Sequence, residues 1–304
     1  MEVPLAGLLL LPVALWGALG LAIAVALYQS RSPTLVHRLG AAFVALWAFL
    51  ATSALVWVIA NGGWSAIVGL THQPPALLTF GETAVWFFGA LGALLVLGMA
   101  FGLNQIVARG FLKLYRSEPV SWPASLAAQA GRTELLSIDL PHADAFTYTL
   151  LSYRRGPRIV RRDMVLVSRP LQAILAPEEL EAALAHELGH VRDLDGRYLT
   201  FFRTFSQLMR WDPVLDLFSG LMSRREELRA DRDSVRLTGR PLALARALYK
   251  ALDHGSGAGE GRAPVGATAF LGARGLRGRR HALERIQRLV RWSESGSIPE
   301  DRSA

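Results

Sequence analysis

The chain has 304 residues, a formal net charge of +8 and no cysteine. Of its 33 Lys+Arg and 25 Asp+Glu, only Glu2, Arg31, Arg38 and Glu82 fall in residues 1–108, a distribution that excludes a single soluble globule. A hydrophobic content of 51% excludes a disordered chain, and the lack of Cys excludes disulfides, thiol catalysis and Cys-ligated metals.

Residues 4–28 carry no charge. A helix of that length exceeds the roughly 30 Å hydrocarbon core of a bilayer, so a membrane span is expected there. With only Glu2 before it and no basic segment, the run is read as a retained span rather than a cleaved signal. The next uncharged stretch, 39–81, is broken by Asn61-Gly62-Gly63 and Pro74-Pro75, which places a second span at 39–60 and a loop at 61–82. A third span is expected at 83–108, with Gly89, Gly92 and Gly98 allowing close helix contact. Trp57, Trp64 and Trp86 fall near span ends, where indoles favour the interface. Arg31 and Arg38 in the first loop, none in the second, and Arg109, Lys113 and Arg116 at the exit put the amino terminus outside and the remainder in the cytoplasm.

The whole net charge lies in that remainder. Its basic residues are scattered among acids and carry no nucleic-acid motif, so a lipid headgroup surface is the expected neighbour and no nucleic-acid partner is expected. Residues 109–135 read as a helical exit and linker. The runs 145–153 and 163–168 are β-branched or aromatic and read as two strands, with Gly156 and Pro157 in the turn between them. The second of these, 163–169, is expected to pair with an extended substrate. Pro177 with Glu178 and Glu179 starts a helix expected to reach about Leu194. Residues 198–222 read as two shorter helices, and 223–237 as a further one. Another begins at Pro241, 254–280 reads as a mobile Gly/Arg-rich stretch, and 282–292 forms a last amphipathic helix.

The sharp feature is His186-Glu187-Leu188-Gly189-His190. On a helix the two imidazoles share a face and can bind one Zn²⁺, while Glu187 can reach the water that completes the coordination. A pair of surface histidines is the bland alternative. The apolar positions Leu180, Leu184 and Val191 argue against it by docking the helix into a core, where ring nitrogens need partners. Arg225-Glu226-Glu227-Leu228-Arg229-Ala230-Asp231 supplies the rest. Glu227 is the expected third ligand, with Glu226 its competitor, and Asp231 one turn on can orient an imidazole. Asp195 either bonds a ligand histidine or caps the helix.

These segments, together with Ala145-Phe146, 165–170, 177–185, 237–252 and Glu284-Arg285-Ile286, resemble the HtpX and CAAX-prenyl-protease family of membrane zinc metalloproteases over about 140–292. The chain departs from that family's pattern at Asp144, where Asn is usual, and at Arg279-Arg280, where His-Pro is usual. The uncharged stretches set three transmembrane helices, and 296–304 reads as a disordered tail; the resemblance implies a mainly α, zincin-like (α+β) cytoplasmic metalloprotease domain between them, at 136–295. It implies one Zn²⁺ per chain, polypeptide substrates including misfolded membrane proteins, and a cell-membrane location. His281 and Arg285 are the candidate oxyanion donors. The chain is also similar to the BlaR/MecR-type sensor peptidases, in which case it would cleave one specific repressor. A non-enzymatic membrane receptor with a structural zinc is the third reading, disfavoured because such a site needs four ligands and no base.

Overall fold

The computed structural model describes residues 109–153, 159–192, 213–255, 268–269 and 276–296, with isolated positions between 42 and 106. The chain forms two compact units, Met1–Leu103 and Asn104–Ala304. In the first, the described positions are helical. Thr52 Oγ1 donates to Ala48 O at 2.6 Å, and a Cβ added at Gly92 would lie 3.1 Å from Thr52 Cβ. Gly98 meets nothing within 4 Å.

The expected fold class of three transmembrane helices before a mainly α domain needs correction. Among the described residues no helix is long and apolar enough to cross a membrane. The two longest, Pro213–Thr238 and Leu276–Ser295, bring charged side chains round with nearly every turn from Arg224 and Arg277 onward, and hydrocarbon would not hold them. The segments 4–28, 39–60 and 83–108 lie largely outside the described residues.

The second unit is mixed α/β. A five-stranded sheet has the order β1 (Ser117–Pro119), β2 (Glu134–Ile138), β4 (Ile159–Ser168), β3 (Ala145–Tyr153), β5 (Thr268–Ala269). β2 and β4 are parallel, and the other pairs are antiparallel. The two expected strands are therefore present as the hairpin β3–β4. β4 is the central strand, hydrogen-bonded on both sides, so it has no edge to offer a substrate, and that expectation is overturned. The expected linker before residue 136 instead holds β1, α1 (Ala124–Ala130) and the first two residues of β2.

Alternation along β3 sorts its side chains onto two cores. Phe146, Tyr148 and Leu150 join Met164, Leu166, Leu136 and Ile138 on one face, covered by Phe111, Leu112 and Tyr115. Ala145 joins Val165, Val167 and Leu135 on the other, against the helices. After β4, Ser168 caps α2 (Arg169–Ile174), its hydroxyl accepting from Leu171 N.

α3 (Pro177–Arg192) follows. Its N3 residue Glu179 reaches back to accept from Ala176 N at 2.9 Å, half of a capping box. Lys250 Nζ donates to the same carboxylate at 2.7 Å and to Ile174 O at 3.2 Å. Every residue from 182 to 190 is buried, so α3 is a core helix, and its close neighbours are tolerated because Ala182, Ala183, Ala185 and Gly189 are small.

α4 (Pro213–Thr238) crosses α3. Pro213 sits at its first turn, where a missing N–H costs nothing, so 213–237 is one helix rather than a short helix followed by another. Gly239, at φ 68°, ends it by donating its N–H to Val235 O at 2.8 Å. α5 (Pro241–Gly255) and α6 (Leu276–Ser295) pack on each other, and α5 packs on α3. α6 starts six residues before the expected 282. Apart from β5, the stretch 256–275 lies outside the described residues.

Candidate active site

Two helices meet where neither has a bulky side chain. A Cβ on Gly189 would lie 3.2 Å from Ala230 Cα. Nearby, Ser234 Oγ donates to Ala182 O at 2.7 Å, fastening α4 to α3. This close approach presents the 186–190 face to a buried stripe of α4, positions 226–227, 230–231 and 234–235.

Glu227 is the bridge. Its Oε2 lies 3.3 Å from His186 Nε2 and its Oε1 lies 3.8 Å from His190 Nε2. The two imidazole rings stand edge to face with centroids 4.8 Å apart. His186 Nδ1 donates to Asp231 Oδ1 at 3.0 Å, which leaves Nε2 as the nitrogen facing Glu227. Glu226, the competing carboxylate, is buried on the same helix. One potential donor atom each from His186, Glu187 and His190 also lie within 4.8 Å of one another.

Arg285 enters from α6. It is 0% exposed and stands in the stripe Ala282, Leu289 and Trp292 that α6 turns inward. Its Nε donates to Asp231 Oδ2 at 2.9 Å and its Nη2 to Asp231 Oδ1 at 2.6 Å. Its Nη1 lies 2.9 Å from Glu227 Oε2, and Nη2 lies 3.2 Å from His186 Nε2. The guanidinium is thus committed to two carboxylates, whereas sequence reading placed it among the oxyanion donors. An Arg in the apolar stripe of an amphipathic helix was the signal that could have shown it needed buried counter-charges.

Thr147 was missed altogether. From β3 its Oγ1 lies 2.8 Å from Glu187 Oε2 and 3.1 Å from Glu187 O. Only its small size on the helix-facing side of the strand hinted at such a contact. His281 lies at the start of α6, and both its ring nitrogens are buried without a hydrogen-bond partner among the described residues. Asp195 lies outside the described residues.

The electrostatics follow from burial and this pairing. Burial pushes the Glu187 carboxyl up to about 8, against the pull of His186 and Thr147. For His186, burial and the Arg285 charge favour the neutral ring, but bonds to Asp231 and Glu227 outweigh them and raise it to about 9. Burial opposes ionisation of Glu227 and Asp231, yet Arg285 and the imidazoles hold Glu227 well below the usual carboxylate range and Asp231 at about 2. Burial and Arg285 hold His281 below the usual imidazole range.

The donor set suits zinc. At ligand distances of about 2.0–2.1 Å, adjacent donors around a tetrahedral ion are about 3.3 Å apart. The His186–Glu227 separation of 3.3 Å matches that edge. Two imidazoles and one carboxylate leave one tetrahedral position open, as in catalytic zinc sites.

A mixed α/β domain with this two-helix carboxylate–imidazole centre is the architecture of a metallopeptidase, and residues 124–293 match peptidase family M48, to which the chain belongs. Among individual proteins it is similar to Protease HtpX homolog 1 of Streptomyces coelicolor, 37% identical over 120 residues (29% of this chain, 40% of the relative). It is also similar to the Protease HtpX homolog of Methanothermobacter thermautotrophicus, 30% identical over 155 residues (43% and 56%). Protease HtpX homolog 2 of Methanosarcina mazei is 31% identical over 119 residues (29% and 40%). The aligned segments span about half the length of these relatives.

Proposed function

We propose that this chain is a zinc metalloendopeptidase, in which His186, His190 and Glu227 hold one Zn²⁺ and Glu187 is the general base. The observation that carries the reading is the convergence of two imidazoles on one carboxylate from a second helix, beside a second carboxylate buried at 0% exposure. When bound, zinc would lower the pKa of water toward about 7 and polarise the scissile carbonyl.

The chain's own groups do the rest. Glu187 accepts the proton of the attacking water and returns it to the leaving amine. Asp231 fixes the His186 ring and its tautomer through Nδ1. Arg285 holds Asp231 and Glu227 in place and keeps both ionised. With Arg285 engaged in this way, His281 is left as the side-chain donor to the oxyanion. The outer edge of β3, which among the described residues carries only the two-residue β5, receives an extended polypeptide by main-chain pairing.

We place the activity at the cytoplasmic face of the cell membrane and assign it misfolded membrane proteins. The nearly uncharged residues 1–108 and the resemblance to the HtpX family support this setting. The test compares wild type with Glu187→Gln on an unfolded polypeptide. Hydrolysis by the wild type only, with equal zinc in both, is expected. Equal turnover by both overturns the mechanism.

A further inference from the structure

Glu187 is enclosed completely, and its two carboxylate oxygens are treated differently. Oε2 accepts from the Thr147 hydroxyl at 2.8 Å. Oε1 is buried with no hydrogen-bond partner among the described residues. The last torsion of a glutamate is broad, so burial by itself does not set the plane of the carboxylate. A hydroxyl on one oxygen does.

The hydroxyl is itself well anchored. Thr147 pairs with Val165 of β4 on one side and with Thr268 of β5 on the other. Among the described residues, β3 is paired on both sides only at Phe146 and Thr147. The residue that touches the base is therefore fixed by the ladder on both edges. Its Oγ1 also lies 3.1 Å from Glu187 O, which holds the strand close to this turn of α3. A β-branched apolar residue would suit this strand position, and a partly buried hydroxyl there costs desolvation unless it finds an acceptor. Glu187 is that acceptor.

We propose that Thr147 is a positioning residue for catalysis: by holding Glu187 Oε2 it presents Oε1 as the atom that exchanges the proton. Oε1 takes one proton from water as the water oxygen bonds to the carbonyl carbon. The same proton then passes to the amide nitrogen as the C–N bond breaks. This inference rests on the peptidase reading above.

The test uses the full chain with zinc and a fluorogenic unfolded polypeptide. T147V keeps the branched shape and deletes the hydroxyl, and T147S keeps the hydroxyl. General acid–base catalysis contributes about 10²–10⁴-fold, and a misaligned base forfeits part of it, so T147V should lower kcat by about 10- to 100-fold. KM should stay within about twofold, because an unchanged binding surface affects KM little. Zinc content should be unchanged, and T147S should recover most of kcat.

A readout independent of turnover is a thermal double-mutant cycle. T147V should lower the unfolding midpoint less in the E187A background than in wild type, because the acceptor is already gone. Wild-type kcat in T147V overturns the proposal, as does equal loss of kcat in T147S and T147V. An additive cycle also overturns it. A zinc-loaded wild type that hydrolyses nothing overturns the peptidase reading, and the positioning role falls with it. Active wild type with active T147V removes the positioning role and leaves the peptidase reading standing.

Discussion

Arg285 and Asp231, 54 positions apart in the chain, form a two-pronged buried ion pair, Nε to Oδ2 at 2.9 Å and Nη2 to Oδ1 at 2.6 Å. Asp231 in turn accepts from His186 Nδ1, and Arg285 Nη1 lies against Glu227 Oε2. One guanidinium therefore balances the acid expected to orient a ligand and the acid expected to be one. Removing one side of a buried pair typically costs about 3–5 kcal/mol because the other charge is stranded. Arg285→Ala should destabilise the fold by about that amount, measured by chemical unfolding. Arg285→Lys keeps the charge without the planar fork, so it should retain part of the stability and lose zinc affinity. A fully stable, zinc-saturated Arg285→Ala would show that the pair organises nothing.

Glu227→Ala removes the bridge between the two imidazoles. Zinc retained after dialysis should fall from about one ion per chain to a small fraction, since a catalytic site needs three protein ligands. Glu226→Ala is the control and should keep its metal. The reverse pattern in elemental analysis would move the third ligand to Glu226.

Gly189 stands where α3 and α4 touch. A Cβ there would press on Ala230 Cα at 3.2 Å, and backbone cannot swing aside as a side-chain tip can. Alanine in place of a helical glycine gains about 1 kcal/mol of helix propensity, whereas overpacking costs about 1–3 kcal/mol. Gly189→Ala should therefore lose stability. It should also weaken zinc binding, because the ligands come from both helices. A stabilised variant with undiminished zinc affinity in a competitive titration would show that the contact has slack.

Glu179 links α3 to α5 through Lys250 and gives a stability difference that depends on pH. Burial favours its neutral form, but the Lys250 ammonium and the Ala176 N–H outweigh that and lower the folded pKa below 4.5. A lowered folded pKa means the stabilisation is complete above the unfolded value and disappears as pH falls through the folded one. Wild type should exceed Glu179→Gln in unfolding free energy at pH 6–7, and the gap should shrink below about pH 4. A gap that is constant with pH would show that the carboxylate charge contributes nothing.

Much of the candidate site was legible in the sequence because its parts are local. His186, Glu187 and His190 share a helix face by spacing alone, and Glu227 and Asp231 do so on a second helix. The β3–β4 hairpin was legible from two β-branched runs on either side of the pair Gly156-Pro157 in the sequence. The limit of β4 was placed too late, at 163 rather than 159, because Arg161 and Arg162 look like turn residues although Arg162 pairs with Glu134 on the neighbouring strand. The α4 start was also misplaced. Reading 198–222 as two helices and 223–237 as another divides a helix that begins at Pro213, a residue favoured at a helix N-terminus.

What the amino-acid order determined by itself is the set of contacts that a three- or four-residue helical step creates, hence the motif, its metal chemistry and the family resemblance. Only the tertiary structure decided that β4 is central, that Arg285 holds two acids and that Thr147 reaches Glu187. The side-chain contacts among them join residues 40 to 58 positions apart. They are set by strand order and helix crossing, which depend on how whole faces pack together.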